Sequence, residues 1–168
     1  LLVMGGSQGA RKLNSLVAGA ELPQGVQVLH IAGPGDEERV RAEAGEREGY
    51  RVVGFCNDMP AAYAVADAVL ARSGASSMTE LAHLGLPSIL VPFPYAADDH
   101  QTVNARVFAD AGAALLEPEA DLEGKALAAR IAELLQDGTR GRMAAAARAL
   151  AVPDAAARVC ATIKEALR

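Results

Sequence analysis

The sequence predicts an α/β fold: a doubly wound, parallel, six-stranded sheet with helices on both faces. Short apolar runs alternate with helical patterns along the chain, which is the order that βαβ units impose. The apolar runs are too short for helices and lack an inside-outside alternation, as strands buried on both faces do. Gly/Ser-rich loops leave several of these strands at their carboxyl ends, the edge where open α/β sheets hold ligands.

Bulk properties narrow the class. The 168 residues, 51% hydrophobic and 22% charged, suffice for one soluble domain with its own core. A formal net charge of -5 argues against a nucleic-acid partner and against charge-driven binding to an anionic membrane. No apolar run approaches the length of a membrane span. The two cysteines, Cys56 and Cys160, lie far apart in no metal-like pattern, so the default is a reduced, cytoplasmic compartment without a disulfide or zinc framework. The opening Leu1-Leu2-Val3-Met4 has no initiator Met and no basic n-region, and it reads as a cut through a longer protein at a strand.

In order, residues 1–4 form the first strand, Gly5-Gly6-Ser7-Gln8-Gly9-Ala10 a tight loop, and residues 11–20 a helix with Leu13, Leu16 and Val17 at helical spacing. Residues 26–32 are the second strand, left through Gly33-Pro34-Gly35 into a charged helix over 36–48. The third strand covers 50–55, and Asp58-Met59-Pro60 starts a short helix to residue 66. The fourth strand, 67–71, runs into Arg72-Ser73-Gly74-Ala75-Ser76-Ser77-Met78-Thr79-Glu80, and Gly85-Leu86-Pro87 stops the helix that follows. A fifth strand covers 87–92, with prolines only at its ends. The helix from His100 is expected to bury Val103, Val107 and Phe108, and a sixth strand covers 113–116. From residue 122 the chain is Ala-rich helix, interrupted near Asp137-Gly138 and Val152-Pro153-Asp154.

The chain is organised around residues 72–80. Gly74 lets the backbone approach a ligand without a Cβ, Ser76 and Ser77 are good N-caps, and the unpaired N–H groups of a helix start suit phosphate oxygens. Glu80 has two readings. Ser77-Met78-Thr79-Glu80 fits a capping box, with the carboxylate reaching back to the cap's N–H. Alternatively, the carboxylate accepts hydrogen bonds from two ribose hydroxyls. Arg72 adds a cation at this loop or pairs with a nearby carboxylate or carbonyl. Gln101 and Asn104 either offer amides to a sugar or form a solvated face.

Other chemistries compete for the same residues. Gly5-Gly6-Ser7-Gln8-Gly9 matches the G-x-S-x-G elbow of serine hydrolases, with His83 or His100 as base. Such elbows follow several strands, whereas this one follows the first. A dinucleotide fingerprint fails because its first glycine is Met4 and the second strand ends in Ala32-Gly33-Pro34 without an acidic residue. No P-loop motif is present. Asp98-Asp99-His100 suggests a metal site, but adjacent carboxylates at a helix start more often act as caps.

Taken in order, Gly5 to Arg11, Arg72 to Glu80, Gly85-Leu86-Pro87 and Asp98 to Ala105 together resemble the MurG family. These transferases move N-acetylglucosamine from UDP-GlcNAc to lipid I in peptidoglycan synthesis. The resemblance covers nearly the whole chain. It implies the Rossmann-like, C-terminal donor half of a GT-B glycosyltransferase, with 153–168 as a terminal helix that crosses to an N-terminal half. It places the main chain near Cys56 at the uracil, with Met59 close by. Ser7, Gln8 and Gly9 join Gly74, Ala75, Ser76 and Ser77 at the diphosphate, with Arg72 nearby and Met78 and Thr79 in the same turn. It places Glu80 on the ribose, and His100, Gln101 and Asn104 at the sugar. His100 departs from relatives that carry glutamine there.

No cofactor, metal or catalytic residue is expected in this half. The general base and the lipid I site belong to the N-terminal acceptor half, and the full-length enzyme sits peripherally on the cytoplasmic face of the bacterial inner membrane. The resemblance implies that this chain alone binds UDP or UDP-GlcNAc and transfers nothing. Another UDP-sugar transferase or epimerase of the GT-B fold is the nearest alternative.

Overall fold

The computed structural model describes residues 1–5 and 10–167; Gly6, Ser7, Gln8, Gly9 and Arg168 lie outside the described residues. Six strands, β1 (Leu2–Met4), β2 (Val28–Ile31), β3 (Tyr50–Val53), β4 (Val69–Ala71), β5 (Ser88–Leu90) and β6 (Ala114–Leu116), form one sheet. All pairs are parallel, in the order β3-β2-β1-β4-β5-β6. Leu2, Val3 and Met4 pair with Leu29, His30 and Ile31 on one side and with Val69, Leu70 and Ala71 on the other.

The helices are α1 (Arg11–Gly19), α2 (Glu37–Ala44), α3 (Met59–Ala64), α4 (Ala75–Leu84), α5 (His100–Asp110), α6 (Gly124–Leu135), α7 (Asp137–Ala149) and α8 (Ala155–Ala166). Alternate strand residues enter opposite cores, because successive side chains of a strand point to opposite faces. Leu2, Met4, Val69, Ala71 and Leu90 pack with Tyr63, Met78, Leu81 and Phe108. Val3, Leu70, Ile89 and Val91 pack with Leu13, Val17, Leu127, Ile131 and Leu134. The chain winds outward from β1 to β3, returns, and winds the other way from β4 to β6. Helices α1 and α4 therefore start on either side of the switch between β1 and β4, the crevice in which such folds bind ligands.

Several local expectations are corrected. Val103 and Val107 are each 54% exposed; α5 buries Phe108 as expected, together with Ala105. The first turn of α4 is not capped by Ser76 or Ser77. Gly74, in extended conformation, takes the N-cap without a side-chain hydrogen bond, so the helix begins at Ala75 and both serines fall inside its first turn. The capping box from Ser77 to Glu80 therefore does not form. Asp98 and Asp99 occupy a short 3-10 turn with φ of 51° each, and Asp99 gives α5 no side-chain cap; its carboxylate accepts from Thr102 Oγ1. The expected stop at Gly85 is present: its φ is +64° and its N–H donates to Ala82 O, while Leu86 N–H donates to Leu81 O. A left-handed C-terminal glycine closes a helix in this way.

Candidate functional site

The crevice begins at Gly5. A Cβ built there would lie 2.2 Å from the Ala10 Cβ, so only glycine lets the two ends of the intervening loop close up. Ser7, Gln8 and Gly9, assigned to the diphosphate from the sequence, lie outside the described residues. Across the switch, α4 presents its first turn. Ala75 and Ser76 are exposed, Ser77 is half-buried, and no side chain caps the helix. The start of α4, the positive end of its dipole, thus has no side-chain acceptor at the cap, and uncapped N–H groups of this kind suit an anion. A Cβ at Gly74 would meet nothing within 4 Å, so no neighbouring protein atom dictates glycine there.

The turn that carries this helix start is latched to α5. Ser73 Oγ donates to Gln101 O at 2.8 Å, and Asn104 Nδ2 donates to Ser73 O at 3.0 Å. Gln101 Oε1 accepts from Phe93 N–H at 3.0 Å, which occupies one acceptor direction of that oxygen and leaves the Nε2 donors for a further partner. Exposed His100 bonds Ala97 O through Nδ1 at 2.7 Å.

Arg72 is not a free cation at the crevice. It is only 6% exposed; Nη1 donates to Val91 O and Pro92 O at 3.1 and 3.0 Å, and Nη2 to the Glu119 carboxylate. Its guanidinium lies 5.5 Å from the Phe93 ring centroid. Two members of the predicted set point elsewhere. Met78 is buried in the core, and Thr79 Oγ1 donates back to Ala75 O at 3.0 Å.

Glu80 is exposed, in the second turn of α4, and its Oε2 accepts from Tyr63 Oη at 2.6 Å. Tyr63 and Glu119 are the residues that the sequence reading missed. Each is 17 or 47 residues from its partner, and no local period signals such a pair. Cys56 and Met59 lie half-buried at the exit of β3, where Asp58 Oδ1 accepts from Ala61 N–H and caps α3. Neither His83 nor His100 pairs with a carboxylate among the described residues; each bonds a backbone carbonyl of a nearby residue. The hydrolase reading therefore gains no triad geometry from them. Asp98, Asp99 and His100 do not form one of the three-ligand groups that could hold a metal, of which there are none among the described residues.

The model of the glycosyltransferase family 28 C-terminal domain matches residues 1–159. The chain belongs to this family. Among its relatives, the UDP-N-acetylglucosamine--N-acetylmuramyl-(pentapeptide) pyrophosphoryl-undecaprenol N-acetylglucosamine transferase of Nitratidesulfovibrio vulgaris (strain DP4) is 48% identical, over 100% of this chain and 48% of its own length. The enzyme of the same name from Halorhodospira halophila (strain DSM 244 / SL1) is 50% identical, over 98% of this chain and 48% of its own. The crystal structure of Acinetobacter baumannii MurG superposes with a TM-score of 0.88 at 33% identity, covering 98% of this chain and 51% of that one. This family 28 domain thus spans about half the length of the curated relatives it matches. The resemblance to the MurG family holds, and so does the Rossmann-like half of the GT-B arrangement that it implied.

Proposed function

We propose that this chain is the donor half of an inverting N-acetylglucosaminyltransferase that binds UDP-GlcNAc and, in the full-length protein, glycosylates lipid I. The observation that carries this reading is the uncapped first turn of α4 at the β1/β4 switch, with the Glu80 carboxylate one turn further along the same helix. Pyrophosphate oxygens accept from the α4 N–H groups and from the loop that includes Ser7, Gln8 and Gly9. Glu80 accepts from the ribose hydroxyls. Gln101, with His100 beside it, serves the sugar, and the backbone around Cys56 meets the uracil.

In the reaction, an acceptor hydroxyl attacks the anomeric carbon while the bond to the diphosphate oxygen breaks, and UDP leaves with that electron pair. The hydroxyl proton passes to a base in the N-terminal half. Prealigned N–H donors stabilise the charge that grows on the leaving diphosphate, which is electrostatic catalysis. This half therefore supplies donor specificity and leaving-group stabilisation. The N-terminal half supplies the lipid acceptor site at the cytoplasmic face of the inner membrane and a surface for α8. No helix among the described residues is long and apolar enough to cross a membrane.

Calorimetric titration with UDP, UDP-GlcNAc and UDP-GalNAc tests this reading. Binding of UDP and UDP-GlcNAc is expected, with Glu80→Ala weakening UDP by about tenfold or more, since charge-assisted hydrogen bonds to two hydroxyls are lost. Absence of heat at millimolar UDP, or an unchanged affinity in Glu80→Ala, overturns it. Transfer to lipid I by this chain alone would contradict the division of labour.

A further inference from the structure

The hydrogen bond from Tyr63 Oη to Glu80 Oε2, 2.6 Å long, joins the short helix α3 to α4. The Tyr63 ring is 6% exposed and packs in the core with Leu2, Met4, Val69 and Ala71. Its hydroxyl reaches an exposed glutamate, and it is the only hydrogen-bond partner of that carboxylate among the described residues. An exposed glutamate left to itself distributes over many rotamers, and ordering it on binding costs entropy. A phenol on an immobile ring removes that freedom beforehand. It also occupies only one acceptor direction of one oxygen, leaving Oε1 and the rest of Oε2 for other donors.

We propose that Tyr63 is a positioning residue that fixes the Glu80 carboxylate for the two hydroxyls of a ribose, and so sets the preference for a ribonucleotide over a 2′-deoxyribonucleotide. The proposal rests on the reading of Glu80 as the ribose acceptor. Burial, reinforced by the hydrogen bond and charge of Glu80, pushes the Tyr63 hydroxyl pKa up. The group therefore remains an O–H donor throughout the physiological range. Its bond to a solvent-exposed acceptor contributes little to folding, because that acceptor would otherwise be hydrated. Positioning rather than stability is thus its main effect.

The test measures affinities for UDP and 2′-deoxy-UDP by calorimetry in the unsubstituted chain, Tyr63→Phe, Glu80→Ala and the double variant. The unsubstituted chain should prefer UDP. Tyr63→Phe should weaken UDP by about three- to tenfold, the effect of one such hydrogen bond, while 2′-deoxy-UDP, which keeps only the 3′-hydroxyl for Glu80, should lose clearly less than UDP does. Glu80→Ala should erase the preference, and Tyr63→Phe should add nothing in that background.

If Glu80→Ala keeps the preference, or none exists to begin with, the ribose reading fails. If Glu80→Ala erases it but Tyr63→Phe keeps it in full, the positioning proposal alone fails. Equal losses for both nucleotides in Tyr63→Phe would mark a merely structural role and also overturn the proposal. Should Tyr63→Phe not fold, the Tyr63 hydroxyl proton followed by NMR in the unsubstituted chain decides. It should shift with UDP and much less with 2′-deoxy-UDP, and equal shifts overturn the proposal.

Discussion

Arg72 shows how a cation next to a crevice becomes part of the scaffold. Its side chain is 7% exposed and that of its partner Glu119 is 9% exposed. The same guanidinium also holds the backbone carbonyls of Val91 and Pro92 at the exit of β5. The pair thereby fastens the exit of β4 to that of β5, next to the turn that opens α4. Two charges withdrawn from water at this depth are tolerated only together, and removing one leaves the other uncompensated. Glu119→Ala is therefore expected to lower stability by about 3–5 kcal/mol in urea unfolding. A loss below about 1 kcal/mol, the range of an exposed pair, would show that the pair is hydrated rather than buried.

Among the elements, α1 is held by a polar network under the sheet edge. Asn14 Nδ2 donates to Ala32 O and to Asp36 Oδ2, each at 2.8 Å, which leaves Asn14 Oδ1 as an acceptor. His30 Nε2 therefore carries the proton donated to Asn14 Oδ1 at 3.1 Å, and its Nδ1 accepts from Tyr50 Oη at 2.8 Å. Burial lowers the His30 pKa from 6.5 to about 4, against the opposing charge of Asp36.

Between those two values the unfolded chain binds a proton that the folded chain refuses. The stability associated with neutral His30 is complete above pH 6.5 and is lost as the pH falls toward 4, with a limiting slope of about 1.4 kcal/mol per pH unit. Asp36, lowered from 3.8 to about 2 chiefly by its hydrogen bond from Arg39, adds its own loss only below about pH 3.8. Urea midpoints from pH 7 to 4 should fall more steeply for this chain than for His30→Gln; parallel slopes would reject the assignment.

At the scale of the whole molecule, α8 stands apart. All its residues from Ala155 to Ala166 are exposed, and Val159, Ile163 and Leu167 are 59%, 54% and 82% exposed. These three recur at four-residue spacing and so form one apolar stripe. In the proposed full-length enzyme that stripe packs against the N-terminal half. Ile163→Glu is then expected to leave the unfolding free energy of this chain within about 0.5 kcal/mol, as at other exposed positions. It should lower the thermal midpoint of the full-length protein, where the new charge would be buried. Equal effects in both proteins would place the stripe outside any interface.

The sequence by itself determined the layers, the six strands, and the carboxyl edge of the sheet, where the loops carrying Gly5 and Gly74 leave the neighbouring strands β1 and β4. Runs such as Leu2-Val3-Met4 and Val69-Leu70-Ala71 announce strands buried on both faces, and Gly85-Leu86-Pro87 announces a helix end; both signals are local. Tertiary structure alone decided which polar groups meet. Glu80 belongs to Tyr63 rather than to Ser77 because Gly74 starts the helix three residues earlier than a cap at Ser77 would. Arg72 belongs to Glu119, and Asn104 to Ser73. Period and composition report how one segment faces its surroundings. A hydrogen bond across 17, 31 or 47 residues depends on how separate segments pack, and no single stretch of the chain contains that information.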